Sequence, residues 1–158
     1  VLRPVFMHTV YLLLGGNLGD RESNLSEALL RLNRAGRVVA VSAPRETEPW
    51  GFDTLVPAFL NQAVCLETEL DPESLLAVCL DIEKELGRIR ASGQSNKETH
   101  RKYASRPIDI DILLYDHLFY HSENLDIPHK RLPERPFAIG LIEEIFPKNV
   151  SLTDFYPR

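Results

Sequence analysis

The 158-residue chain is predicted to adopt an α+β fold. Three observations carry that prediction. Short β-leaning apolar runs are interleaved with two amphipathic stripes at helical spacing. Cap and turn residues punctuate the boundaries between them. The order of the runs, with strands both adjacent in sequence and separated by helices, suits an antiparallel sheet with helices laid on it.

Thr9 to Leu14 reads as a buried strand ended by Gly15-Gly16-Asn17, a tight turn that matches neither a dinucleotide fingerprint nor a P-loop. Asp20 is placed to cap a helix in which Leu25, Ala28, Leu29 and Leu32 recur at helical spacing, with Gly36 at the exit. Arg37 to Ala43 and Phe59 to Thr68 read as the next two strands, and the stretch TEPWGFDTLVP between them as a loop. Asp71-Pro72 supplies an N-cap and a proline at the first helical position. Leu75, Cys79, Ile82 and Leu86 then form one stripe, closed by Gly87. Pro107 to Tyr115 is the fourth strand, and a helix is expected from about Pro136 to Ile145. Strand, helix, strand, strand, helix, strand is the ferredoxin-like βαββαβ plan, with helices on one face of an antiparallel sheet and an additional C-terminal helix. No internal repeat or second domain is evident, so residues 1–158 are expected to form a single domain. Residues 91–101 carry no apolar period and form a long connection, of the kind that commonly serves as a binding loop or lid.

A hydrophobic content of 44% and a charged content of 26% are ordinary for a globular chain. The formal net charge of −5 argues against a dedicated nucleic-acid or acidic-membrane binder. Between Lys84 and Arg106, however, seven Lys/Arg face two Glu, a segment of +5 in a remainder of −10. A basic island in an acidic chain suits a small anionic ligand, the alternative being a solvated loop. Cys65 and Cys79 sit in apolar runs and read as buried free thiols of a reducing compartment. No stretch is long enough to span a membrane, and the start shows no cleavage site, so a cytoplasmic protein is expected.

The sharpest chemical feature is Arg106-Pro-Ile-Asp109-Ile-Asp111-Ile-Leu. In a strand Asp109 and Asp111 share one face while Ile108, Ile110 and Ile112 share the other. Two like charges on one face repel, and a divalent cation removes the conflict. A half-exposed strand with two solvated aspartates is the plain alternative, and a bare Asp-x-Asp occurs in glycosyltransferases and nucleotidyltransferases as well. Arg88, Arg90, Lys102 and Arg106 precede this strand, and Pro128-His129-Lys130-Arg131 with Arg135 follow it. Guanidinium groups grip phosphate oxygens, so two basic clusters around paired carboxylates suit a nucleotide-phosphate site. Trp50, Phe59, Asn61 and Phe137 form an aromatic and amide set. Phe59 and Asn61 share a strand face, an arrangement suited to a planar heterocycle stacked and read along its edge.

Together these pieces resemble the 6-hydroxymethyl-7,8-dihydropterin pyrophosphokinase family. The stretch from Lys102 through Arg106, Asp109 and Asp111 to Leu113 fits that family's signature. LLLGGNLGDRESNL, TEPWG, PAFLNQAV, IEKELGRIR and IPHKRLPERPF also match, over about residues 9 to 147. The resemblance implies transfer of pyrophosphate from Mg-ATP to a pterin alcohol in folate biosynthesis. Arg88, Arg90, Arg106, Asp109 and Asp111 would be catalytic, the two aspartates holding two Mg²⁺ ions. Glu83, Arg88, Lys102, Arg106, Ile112, His129, Lys130 and Arg135 would bind ATP. Thr47, Glu48, Trp50, Phe59, Asn61 and Phe137 would bind the pterin. The chain departs from the family in a longer connection within Ser92–His100, in Tyr103 where many members carry Trp, and in Lys130 where some have Tyr. The implied partners are small molecules, neither nucleic acid nor membrane. The competing readings are a non-catalytic ferredoxin-like ligand-binding module and a different Asp-x-Asp transferase.

Overall fold

A nearly unbroken apolar run makes His8–Gly16 the central strand, β1, because a strand buried on both faces needs no polar alternation. The computed structural model describes residues 7–48, 57–91 and 107–157, with the side chains of 88–91 left out. β1 pairs antiparallel with β4 (Phe59–Thr68) on one side and with β5 (Asp109–Tyr115) on the other. β2 (Arg37–Val41) pairs with β4, giving the order β2-β4-β1-β5, and the short β3 (Arg45–Thr47) also pairs with β4. Among the described residues β5 is therefore an edge strand of this sheet.

Helices α1 (Arg21–Arg31) and α2 (Pro72–Ala91) cover one face. Their stripes, Leu25, Ala28 and Leu32 with Leu75, Cys79, Ile82 and Leu86, pack on Val10, Leu12, Leu14, Val64 and Leu66. The expected caps are in place: the Asp20 carboxylate accepts the Ser23 N–H at 3.0 Å, and that of Asp71 accepts the Ser74 N–H at 2.8 Å. Arg31 and Arg34 both grip Glu85, at 2.6–2.8 Å, and tie the two helices together. The C-terminal helix α3 (Pro136–Ile145) lies on the opposite face, where Ala138, Leu141 and Ile142 meet Tyr11, Leu13, Ala63 and Cys65. The ferredoxin-like plan thus holds, with α3 turning the sheet into the middle layer of three.

Several boundaries differ from expectation. β1 continues through Gly15 and Gly16, which are strand residues paired with Asn61 and Leu60 and not a turn. The positive-φ glycine that makes the bend is Gly19. β2 stops at Val41, two residues short of expectation, and β5 starts at Asp109, two residues late. α2 does not close at Gly87 but runs to Ala91. A glycine costs a helix about 1 kcal/mol, which the long packed stripe before it offsets. β3 and the two-residue strands β6 (Tyr120–His121) and β7 (Asp126–Ile127) lie outside the expected elements, being too short to carry a period.

Candidate active site

Strand alternation places the two aspartates. Ile108, Ile110 and Ile112 are buried beneath α1 and α2, so Asp109 and Asp111 emerge on the α3 face. A register shift against Tyr11 and Leu12 then turns both Leu113 and Leu114 toward α3. Asp111 is half-buried, and its Oδ2 accepts from Arg135 Nη1 at 3.2 Å. Arg135 is the N-cap of α3, so the layer that covers the sheet also delivers the cation.

His129 approaches the same carboxylate, with Nε2 4.0 Å from Asp111 Oδ1, a contact too long for a hydrogen bond. Its backbone N–H donates to the Leu113 carbonyl at 2.9 Å, which docks the segment on β5 two residues beyond Asp111. The ring Nδ1 accepts the Arg131 N–H at 3.1 Å, so in the neutral imidazole the proton sits on Nε2, toward the carboxylates. Burial, helped by the Arg135 charge, pushes the His129 pKa down to about 4. His129 is thus a neutral donor at physiological pH.

Behind the strand, Glu83 of α2 reaches the outer edge of β5 and accepts the Ile110 N–H at 2.6 Å. Burial, then the neighbouring Asp109 charge, raises its pKa well above the usual carboxylate range.

The register carries the site across the sheet. Gly15 pairs with Asn61 on one side and Asp109 on the other, so Asn61, Gly15 and Asp109 form one row on one face. Asn61 is buried, and its Nδ2 donates to Thr47 Oγ1 at 2.8 Å and to the Arg45 carbonyl at 3.3 Å. Both acceptors lie on β3, the strand that sequence periodicity missed. Phe59, opposite Thr47, shares the Asn61 face, and Phe137, in the first turn of α3, packs on the core of that same face. A carboxylate end and an aromatic–amide end therefore share one surface.

Three polar residues hidden in the opening block hold the ends of these strands. Buried Asn17 donates to the Pro57 carbonyl at 3.2 Å, and Arg21 to that of Ala58 at 2.9 Å, fixing the approach to Phe59. Buried Asn24 donates to the carbonyls of Leu18 at 3.1 Å and Pro107 at 3.4 Å, fixing the approach to Asp109. One signal for Asn24 was available: it stands four residues before Ala28, on the stripe where an apolar residue is expected.

The structure brings together Asp109, Asp111, His129, Arg135 and Glu83, and separately Thr47, Asn61 and Phe59. Lys130 and Glu48 are exposed. Ile112 buries its side chain under the helices, away from the aspartates. Arg88 and Arg90 belong to the last turn of α2, but their side chains, like Trp50, Lys102 and Arg106 entirely, lie outside the described residues.

The carboxylate pair fits a hard divalent cation. Among the described residues no group of three or more His, Cys, Asp or Glu could hold a metal. Two aspartates on one strand face suit Mg²⁺, which keeps waters and substrate phosphates as its remaining ligands.

Comparison with known proteins agrees with this geometry. The family model described as 7,8-dihydro-6-hydroxymethylpterin-pyrophosphokinase (HPPK) matches residues 11–147. A 2-amino-4-hydroxy-6-hydroxymethyldihydropteridine pyrophosphokinase of Porphyromonas gingivalis is 44% identical over 145 residues, covering 89% of this chain and 92% of the relative. The protein of the same name from Bacillus subtilis is 39% identical over 137 residues, covering 85% and 76%. Among solved structures, an HPPK-DHPS of Plasmodium falciparum matches with a TM-score of 0.66 at 15% identity, covering 94% of this chain and 44% of that one, a likeness of fold. By the family match and by identity over most of its length, the chain belongs to the 7,8-dihydro-6-hydroxymethylpterin-pyrophosphokinase family.

Proposed function

We propose that this chain, acting as a single catalytic domain, transfers the pyrophosphoryl group of Mg-ATP to the hydroxymethyl oxygen of 6-hydroxymethyl-7,8-dihydropterin in folate biosynthesis. The observation that carries the reading is the row Asn61–Gly15–Asp109, which joins a ring-reading amide to a phosphate-side carboxylate across one central strand.

Asp109 and Asp111 would hold two Mg²⁺ ions against the ATP phosphates, and the bound metal supplies charge neutralisation and alignment of the triphosphate. Arg135 and the Nε2–H of His129 flank Asp111 and would donate to phosphate oxygens. By the resemblance, Arg88 and Arg106 would contact the same triphosphate and Arg90 would belong to the catalytic loop, with Glu83, Lys102, Ile112 and Lys130 as further members of the ATP site. At the other end Phe59, Phe137 and Trp50 would enclose the pterin. Asn61 Oδ1 would accept from the ring edge, held by Thr47 and flanked by Glu48. The substrate hydroxyl oxygen bonds to the β-phosphorus as the bridging bond between the α and β phosphates breaks. AMP leaves, and the hydroxyl proton passes to solvent or a phosphate oxygen. Such transfer depends on positioning and electrostatics, so no strong protein base is required.

No described helix is long and apolar enough to cross a membrane. The two free, buried cysteines suit a reducing, cytoplasmic setting. The non-catalytic module finds no support, since the chain matches the enzyme family over residues 11–147. The deciding assay identifies the nucleotide released from Mg-ATP and the pterin alcohol. AMP in step with the pterin diphosphate is expected; stoichiometric ADP would overturn the reading.

A further inference from the structure

Gly15 has a role that its place in a strand does not explain. Strand interiors disfavour glycine, yet this one sits in the central strand, paired on both sides. A Cβ built on Gly15 would lie 2.6 Å from Asn61 Oδ1, 3.6 Å from Asn61 Cγ and 3.7 Å from the Leu60 carbonyl. The Asn61 carboxamide therefore occupies the space that any other residue at position 15 would fill. Its orientation is also determined. The Arg45 carbonyl can only accept, so the atom facing it is the Nδ2 donor, and Oδ1 is the atom turned over Gly15.

We propose that Gly15 is a specificity-determining position: its missing side chain lets the Asn61 carboxamide lie across β1 with its acceptor oxygen toward the heterocycle. The inference rests on the assignment of Asn61 to the pterin edge. A methyl group at position 15 must move Oδ1, because real Cβ atoms do not approach an oxygen that closely. The first atom displaced is the far end of a side chain and not backbone, so the strand and its pairings survive the change. Asp109, although the other partner of Gly15, has no atom among these three nearest contacts. The phosphate side is thus left in place while the ring reader shifts. Gly15 acts through Asn61 and is a positioning residue.

The test is a double-mutant cycle on the full chain with Gly15→Ala, Asn61→Ala and the double variant, following KM for the pterin, KM for Mg-ATP and thermal midpoint. Gly15→Ala is expected to raise the pterin KM roughly tenfold, the loss of about one hydrogen bond, with the ATP KM within about twofold. The Asn61 side-chain NH₂ resonances should move in the same variant, a readout that needs no substrate. In the Asn61→Ala background the second change should add less than about twofold, because the atom it displaces is gone. An unchanged pterin KM in Gly15→Ala, or a full additive penalty in the double variant, overturns the proposal. If Asn61→Ala itself leaves the pterin KM unchanged, the assignment of Asn61 fails and the proposal falls with it. If Asn61→Ala is defective and Gly15→Ala is not, the assignment stands and the proposal alone is overturned. Should Gly15→Ala fold poorly, the double variant is expected to restore folding; failure to do so shows that the strand itself, and not Asn61, requires the glycine.

Discussion

The Glu83 carboxyl accepts the backbone N–H of Ile110 at 2.6 Å, midway between the two aspartates and on the outer edge of β5. An edge strand leaves such donors without a neighbouring strand, and here a buried helix side chain takes the place of one. Glu83→Leu removes the acceptor and should destabilise the fold by about 1–3 kcal/mol in urea unfolding. Glu83→Gln keeps an acceptor oxygen and should lose less. Amide exchange at Ile110 should quicken in the leucine variant and remain slow in the glutamine one.

Removing either acidic charge on β5 separates stability from turnover. Asp109→Asn and Asp111→Asn keep the shape of the strand and relieve repulsion between like charges on one face. The thermal midpoint should hold or rise in Asp109→Asn and change little in Asp111→Asn, where the weakened Arg135 contact offsets the relief. AMP release from Mg-ATP and the pterin should fall at least about a hundredfold in both, the scale of losing one preorganised electrostatic group. Near-normal turnover in both variants would remove the aspartates from the phosphate site.

Glu85 sets an acid limit on the packing of α1 against α2. The guanidinium groups of Arg34 and Arg31 hold its carboxyl down to about 2, below the roughly 4.3 of an unfolded chain. A depressed folded value means that the stabilisation is complete above the unfolded pKa and is lost as pH falls toward the folded one. The Tm gap between the natural chain and Glu85→Gln should be constant from neutral pH to about pH 5 and shrink between about 4 and 2. A gap that ignores pH would show that the clamp is not electrostatic.

Asn24 ties α1 to the start of the acidic strand through the Pro107 carbonyl. Replacing it with leucine deletes two part-buried donor contacts and should cost about 1–3 kcal/mol. If the tie positions Asp109, the Mg²⁺ concentration for half-maximal activity should rise in folded Asn24→Leu. An unchanged metal requirement would confine Asn24 to stability.

The sequence by itself determined the local chemistry. Period-2 alternation separated Asp109 and Asp111 from the isoleucines, and apolar runs with their caps delimited β4 and the start of α2, because these signals depend on neighbours a few residues apart. It also supplied the composition of both ends of the site. What only the tertiary structure decided is which residues meet across strands. The row Asn61–Gly15–Asp109 joins positions 15, 61 and 109, and the Arg135–Asp111 contact joins α3 to β5. Register across three strands follows from how the α1 and α2 layer and α3 bury the two faces of the sheet together, and no local window of sequence contains that sum. The same reason hid β3: three residues carry no period, and Arg45 to Thr47 become a strand because β4 offers its edge and Asn61 its amide.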